Sequence, residues 1–168
     1  MTHFNLAHSL NLWLHLSSLV LWIGGIAFFL FVFGPAVHTL PPGAGIQVLN
    51  KGRETFQSLS WIAINLLLIT GMLNLIFRGM AVGFQLGIGY YSIIAVKLFL
   101  FVAMVIHHSL QAFKYAPEIA ALTAQAGADI QSWPEPLLSH WKKWFMLLKI
   151  NATLGAIVIP LGLGLARS

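Results

Sequence analysis

The chain has 168 residues, of which 58% are hydrophobic and only 8% are charged. A soluble domain carries about 25% charged residues, so this composition excludes an ordinary soluble domain and indicates a membrane protein. The absence of cysteine excludes disulfides, iron–sulfur clusters and thiolate copper sites. The net charge is +5, but the nine Lys and Arg are scattered at the ends of apolar segments, so nucleic acid is not an expected partner.

Four apolar segments are each long enough for a membrane crossing, which needs about 20 residues per helix. They run from Leu10 to Val37, from Leu59 to Phe77, from Tyr91 to Phe113 and from Trp144 to Leu165. Together they occupy most of the chain, so we treat residues 1–168 as a single domain. Short connections make successive helices antiparallel neighbours. The sequence therefore predicts an all-α fold, an integral membrane four-helix bundle with up-down topology.

The first predicted helix carries polar and aromatic side chains at steps of three and four residues, which place them on one face. They are His8, Asn11, His15, Ser18 and Trp22. Pro35 and the pair Pro41-Pro42 are expected to end this helix, because proline cannot continue its hydrogen bonds. Small residues in three helices are expected to admit a neighbouring helix or a flat cofactor: Gly24, Gly25, Gly71 and Gly155.

A polar connection with Lys51 and Glu54 is expected before the second helix. That helix presents two polar sides, and we expect the first of them to face the bundle. The first consists of Trp61, Asn65 and Met72, and the second of Thr70 and Asn74.

The third helix carries a stripe of Lys97, Phe101, Met104, His108 and Gln111, with His107 about 100° away. In the long connection from Lys114 to Trp141, the Ala-rich piece from Glu118 to Ala128 predicts a short surface helix. The fourth helix offers His140, Trp144 and Asn151. Each helix thus has a polar stripe, and the simplest arrangement turns all four stripes inward.

Basic residues indicate the orientation. The first and third connections carry more of them than the opposite side: Lys51, Arg53, Lys114, Lys142 and Lys143 against Arg78 and Arg167. Positive charge accumulates on the cytoplasmic side, so both termini are expected on the outer, periplasmic side. No cleavable signal peptide is visible at the start of the chain. These features predict a multi-pass protein of a bacterial inner membrane.

Depth separates the ionisable residues into two levels. His15 and Lys97 lie at similar distances from the outer ends of two helices that run in the same direction, so we expect them at one outer level. His108 lies eleven residues beyond Lys97, about 16 Å deeper at 1.5 Å per residue. It is expected at an inner level with Asn65, Asn151 and His140. The two histidines should therefore not ligate opposite faces of a single haem.

Several short motifs resemble two related groups of bacterial membrane proteins. The segment Leu14-His15-Leu16, with Trp22 and Gly24-Gly25 following, is similar to the opening helix of the CopD copper-resistance domain and of HemJ, the haem-binding protoporphyrinogen oxidase. The second helix, from Phe56 to Asn74, resembles CopD, and the interval from Lys97 to His108 resembles HemJ. The CopD resemblance implies copper handling. The HemJ resemblance implies b-type haem, with His15 and Lys97 at the matching functional positions.

The leading hypothesis is a b-type haem protein for electron transfer or a redox step; whether it is an enzyme stays open. The cofactor-binding candidates are His15 as axial ligand, Lys97 as opposite ligand or propionate partner, and His107 or His108 at a second haem, a quinone or a propionate. Expected partners are the lipid bilayer, a quinone, other redox membrane subunits or further copies of the chain.

Two alternatives stay open. One is a copper-binding protein for copper uptake or homeostasis, in which Met1-Thr2-His3 with His8 and His15 captures the metal outside and His107-His108 receives it farther in. The other is a structural subunit of a respiratory or photosynthetic complex, whose polar stripes contact partner helices or lipid.

Overall fold

The computed structural model describes the backbone of residues 2–127 and 130–167. It describes the side chains of these residues except for residues 2–5, 163 and 165–167. The described residues lie in helices and the turns between them. In chain order the helices are α1 (Thr2–Phe28), α2 (Gly34–Val37), α3 (Pro42–Ala81), α4 (Ile88–Leu110), α5 (Ala116–Gln125) and α6 (Glu135–Arg167). Two π-helical segments, Phe29–Phe33 and Gln111–Tyr115, join α1 to α2 and α4 to α5.

Four helical stretches are long and apolar enough to cross a membrane. They are Leu6–Val37, Pro42–Ala81, Ile88–Gln125 and Glu135–Gly162. Their outer surfaces expose large apolar side chains, among them Trp13, Phe31 and Phe99. Such extensive apolar exposure fits contact with lipid better than contact with water. The all-α prediction and the number of long apolar helices are confirmed.

The helix α3 begins much earlier than predicted. Pro42 stands in its first turn, where proline is favoured because its missing N–H is not needed there. The predicted polar connection around Lys51 is therefore helical, and that prediction was wrong. Glu54 accepts hydrogen bonds from Asn50 and Lys51 at 3.2 and 3.3 Å along the helix. The charged residues mark the end of the apolar stretch, not the end of the helix.

The other predicted ends also shift. Pro35 lies inside α2, which continues to Val37, so Pro35 does not end the first stretch. The short surface helix predicted near Glu118 is present as α5, although it continues α4 through the second π-helical segment. The far end of that prediction, residue 128, lies outside the described residues. The last helix starts at Glu135, ahead of Trp141.

The helices pack mainly in two pairs, α1 along α3 and α4 along α6. The pairs meet where Gly155 of α6 faces Ile23 of α1: a Cβ added to Gly155 would lie 2.5 Å from Ile23 Cδ1. Gly25 admits the ring of Phe56 in the same way, at 3.3 Å. Gly24 has no neighbour within 4 Å among the described residues, so the prediction that it seats a neighbouring helix is wrong for the helices described.

The core lies toward the end of the bundle that holds the α2–α3 turn, which we call the inner end. Aromatic rings fill it: Phe29 lies 5.2 Å from Trp144 and 5.4 Å from Phe56, measured between ring centroids. Toward the opposite, outer end the packing is looser. No side chain of α4 between Ile88 and Ala103, all within the described part of the chain, is buried. His108 lies in the densely packed part, whereas Lys97 lies in the loosely packed part of α4.

Candidate functional site

At the outer level, His15 of α1 is held by Thr70 of α3. The distance between His15 Nδ1 and Thr70 Oγ1 is 2.8 Å. The Thr70 hydroxyl also donates its proton to the carbonyl oxygen of Leu66 in the preceding turn. Since a hydroxyl has one proton, Thr70 Oγ1 must accept from the imidazole, and Nδ1 must carry the hydrogen. In the neutral form of the ring, Nε2 then keeps its lone pair.

A second polar contact fixes the position of Thr70. The side-chain amide of Asn11 donates to the Thr70 carbonyl oxygen at 3.0 Å and to Asn74 Oδ1 at 2.8 Å. Asn11 and Thr70 are both buried. Gly71 lies against the His15 ring: a Cβ built on Gly71 would be 3.5 Å from His15 Cε1. A Cβ at that distance would make ordinary van der Waals contact, so the backbone of α3 lies directly beside the His15 ring.

Lys97 of α4 reaches the same level from the other side of the bundle. Its Nζ lies 3.5 Å from the Cβ position of Gly162 on α6, and it is close enough to His15 for an electrostatic interaction. The ammonium group is half-buried and forms no ion pair with any described acidic residue. The described acidic residues, Glu54, Glu118 and Glu135, lie on the parts of α3, α5 and α6 nearest the inner end of the bundle. His15 and Lys97 thus share a level, as predicted.

At the inner level, aromatic rings surround His108. Its ring centroid lies 5.0 Å from that of Trp61, and 6.3 Å from those of Trp22 and Phe56, all edge to face. His108 is buried, and the Gln111 side chain lies beside it. Neither ring nitrogen has a hydrogen bond of regular geometry within the described residues. A second haem at His108 would have to displace one of these rings.

The inner level also includes Gln111 and Asn151. Gln111 Nε2 donates to the carbonyl oxygen of Trp144 at 2.9 Å, and Asn151 Nδ2 donates to that of Met104 at 3.2 Å. Both bonds join α6 to the helical stretch that carries His108. Met104 lies one helical turn before His108 on α4. The bond from Asn151 to Met104 therefore supports the prediction that Asn151 lies near His108.

Other predicted members of the inner level lie elsewhere. Asn65 is exposed on α3 and donates to its own helix at the Trp61 carbonyl. His140 bonds the Pro136 carbonyl at 2.7 Å, near Tyr115, rather than approaching His108. Met72 is exposed as well. The expected inward side of the second helix was thus wrong beyond Trp61, and the Thr70–Asn74 side faces α1 instead.

The remaining histidines are not gathered around either site. The side chain of His3 lies outside the described residues. His8 contacts Phe77, with ring centroids 5.5 Å apart, and His38 is exposed beside Trp133. His107 is half-buried, and its Nδ1 lacks a partner among the described groups. No group of three or more His, Asp or Glu side chains that could hold a metal ion occurs in the described part of the chain.

The number of protein donors at the outer level limits which prosthetic group or metal ion it could hold. A haem iron needs only one or two axial donors from the protein, and imidazole is a common one. His15 and Lys97 provide two nitrogen donors, and Gly71 and Gly162 leave small surfaces next to them. A copper site would need further ligands. No family model, curated protein or solved structure matches the chain, so the resemblance to CopD and HemJ stays a prediction.

The sequence did not single out Thr70 as a partner of His15. The available signal was its place beside Gly71 with Asn74 one turn on, opposite Asn11 and His15 at a similar depth. Phe56 was also missed as a wall of the inner site, because a phenylalanine in an apolar helix carries no distinguishing pattern.

Proposed function

We propose that the chain is a multi-pass protein of a bacterial inner membrane with both termini on the outer side. The support is the four long apolar stretches and the unequal distribution of basic residues at their ends. The outer level then lies close to the periplasmic face, and the aromatic inner core lies nearer the cytoplasm.

We further propose that the outer level binds a b-type haem for electron transfer or a redox step. His15 would be an axial ligand through Nε2, and Lys97 would be either the opposite ligand or the partner of a propionate. The observation that carries this proposal is the His15–Thr70 hydrogen bond. It occupies Nδ1, so Nε2 is the ring nitrogen whose lone pair could bind iron. Metal-bound histidines characteristically donate their other ring N–H to such an acceptor.

The residues around the ring have separate tasks. Thr70 fixes the tautomer and orientation of His15, and Asn11 fixes Thr70 through its carbonyl oxygen. Lys97 contributes a positive charge without a described carboxylate partner, which favours an anionic group such as a propionate. When bound, the haem supplies a reversible one-electron change, and the protein sets its potential through ligand, charge and burial.

The test is the visible absorption spectrum of protein produced with ample haem and purified as wild type, His15→Ala and His38→Ala. The wild type should show a Soret band and reduced α band. His15→Ala should lose most of the bound haem, while His38→Ala, an exposed matched control, should keep it. Equal spectra for all three proteins, or none with a Soret band, would contradict the proposal.

Lys97 variants refine the same experiment. Lys97→Leu should weaken haem binding about 10- to 100-fold, because a charge-assisted contact or ligand is lost. Lys97→Arg separates the two roles: arginine can pair with a propionate, whereas it does not ligate iron. A spectrum retained in Lys97→Arg indicates a propionate partner, and a changed one indicates an axial ligand. Unchanged binding in Lys97→Leu would exclude both roles.

A further inference from the structure

Arg78 is a second cation in the outer half of the bundle that has no described carboxylate partner. It lies in the last turn of α3, its side chain is half-buried, and neither ion pair among the described residues includes it. Charged side chains within membrane-spanning stretches characteristically pair with another group or mark the position of a ligand. The outer end of α3 is therefore a place where an anionic group would be stabilised.

Arg78 lies on the side of α3 that faces His15. It follows Asn74 by four residues and Gly71 by seven, and these steps keep all three on one face of the helix. Asn74 accepts a hydrogen bond from Asn11 of α1, and Gly71 lies beside the His15 ring. At 1.5 Å per residue, Arg78 is about 10 Å farther out along α3 than Gly71.

Tyr90 of α4 lies near Arg78 at this outer position. The two side chains are close enough for an electrostatic interaction, and Tyr90 is half-buried as well. Tyr90 precedes Lys97 by seven residues, so the two share one face of α4 and lie about 10 Å apart along it. The spacing on α4 thus matches the spacing on α3. We call Arg78 and Tyr90 the outer rim, which lies beyond the level of His15 and Lys97.

The side chains between the outer rim and the outer level are loosely packed. The helix α4 packs mainly along α6 rather than along α1 or α3. All its side chains from Ile88 to Ala103 are at least partly exposed, and His15 is only half-buried. This part of the bundle therefore differs from the inner core, where aromatic rings enclose His108. A ligand would not have to displace a closed core in order to contact both His15 and the outer rim.

The separation of the two groups of residues selects the kind of anion. A free phosphate ion is too small to contact His15 and the outer rim together. A haem carries an iron at its centre, for which imidazole is a common ligand, and two propionate carboxylates that project from one edge of the ring. The guanidinium of Arg78 can pair with a carboxylate through two parallel hydrogen bonds, and the Tyr90 hydroxyl can donate a further one.

We infer that Arg78, with the Tyr90 hydroxyl beside it, binds a propionate of the haem whose iron is bound by His15. This inference rests on the proposed haem site and adds the direction of the group, whose propionate edge faces the outer end of the bundle. Arg78 is then a binding residue for the carboxylate and not a ligand of the iron. Lys97 lies one step deeper, at the level of His15.

Esterified haem tests this contact directly. Haem and haem dimethyl ester, in which the propionates carry no charge, are titrated into the full-length apoprotein in lipid nanodiscs, and binding is followed by the Soret band. The wild type should bind haem at least about tenfold more tightly than the ester, because a charge-assisted pair is lost with the ester. In Arg78→Gln this preference should fall at least about fivefold. An equal preference in the two proteins would overturn the inference.

Further variants separate this role from a general effect of charge. Lys51→Gln removes an exposed cation near the opposite end of α3 and should keep the wild-type preference. Arg78→Lys keeps the charge and should retain more of the preference than Arg78→Gln. The wild type alone also tests the inference, should Arg78→Gln fail to fold: haem bound no more tightly than the ester would overturn it and leave the haem site standing. A wild type that binds neither compound would overturn the haem site and this inference with it.

Discussion

Thr70 controls which nitrogen of His15 is available to a ligand. Its hydroxyl proton is committed to the Leu66 carbonyl, so its oxygen accepts from Nδ1–H, and in the neutral ring Nε2 keeps its lone pair. This arrangement is independent of the identity of the metal. A histidine without such an acceptor would exchange between tautomers and rotate more freely, and both changes weaken a coordinate bond.

Replacement of Thr70 tests this role. Thr70→Val keeps the shape of the side chain but removes the acceptor, and it should lower haem affinity about 10- to 100-fold. Thr70→Ser keeps the hydroxyl and should stay close to wild type. Haem titration of the apoprotein measures both variants. Equal affinities for Thr70→Val and Thr70→Ser would mean that Thr70 does not position His15.

At the scale of helices, small residues decide which pairs approach closely. Gly155 allows α6 to pass Ile23 of α1, whereas Gly24 has open space around its Cβ position within the described structure. The sequence predicted a packing role for both glycines, and only the neighbouring helix distinguishes them. Such a distinction depends on rotation about the helix axis, which composition does not determine.

The two glycines therefore give a matched pair of variants. Gly155→Val should destabilise the bundle by about 1–3 kcal/mol, because the side chain enters space that Ile23 occupies. Gly24→Val should change stability by less than about 0.5 kcal/mol, as exposed substitutions usually do. Thermal unfolding in detergent measures both. A Gly155→Val protein as stable as Gly24→Val would contradict the described α1–α6 contact.

The same helices show how far the sequence could predict the structure. The apolar stretches were predictable because lipid contact demands length and hydrophobicity, and the shared depth of His15 and Lys97 followed from helical rise alone. The inward side of α3 was not predictable, since Asn65 and Thr70 are both polar. Asn65 bonds its own helix, whereas Thr70 meets His15 and Asn11 of another helix. Which of these two polar residues faces a neighbouring helix is decided by tertiary packing.

For the whole molecule, the proposed topology gives the two levels different surroundings. On that topology the outer level would lie near the periplasmic face. The inner level would lie nearer the cytoplasm, enclosed by aromatic residues.

The orientation is testable with single cysteines in this cysteine-free chain. Gln85→Cys lies in the exposed turn between α3 and α4, and Ser132→Cys lies in the exposed segment before α6. A membrane-impermeant thiol reagent should label Gln85→Cys in intact spheroplasts, and Ser132→Cys only after lysis. The reverse pattern would invert the topology and place the His15 level on the cytoplasmic side.

The most direct test of the haem proposal is the metal and haem content of the purified wild-type chain, with iron and copper measured on one sample by elemental analysis and haem by its pyridine derivative. The account predicts iron in haem form, approaching equimolar with the chain, and copper only in trace amounts. Copper bound in proportion to the protein with no haem, or neither metal after production with ample haem, would contradict it.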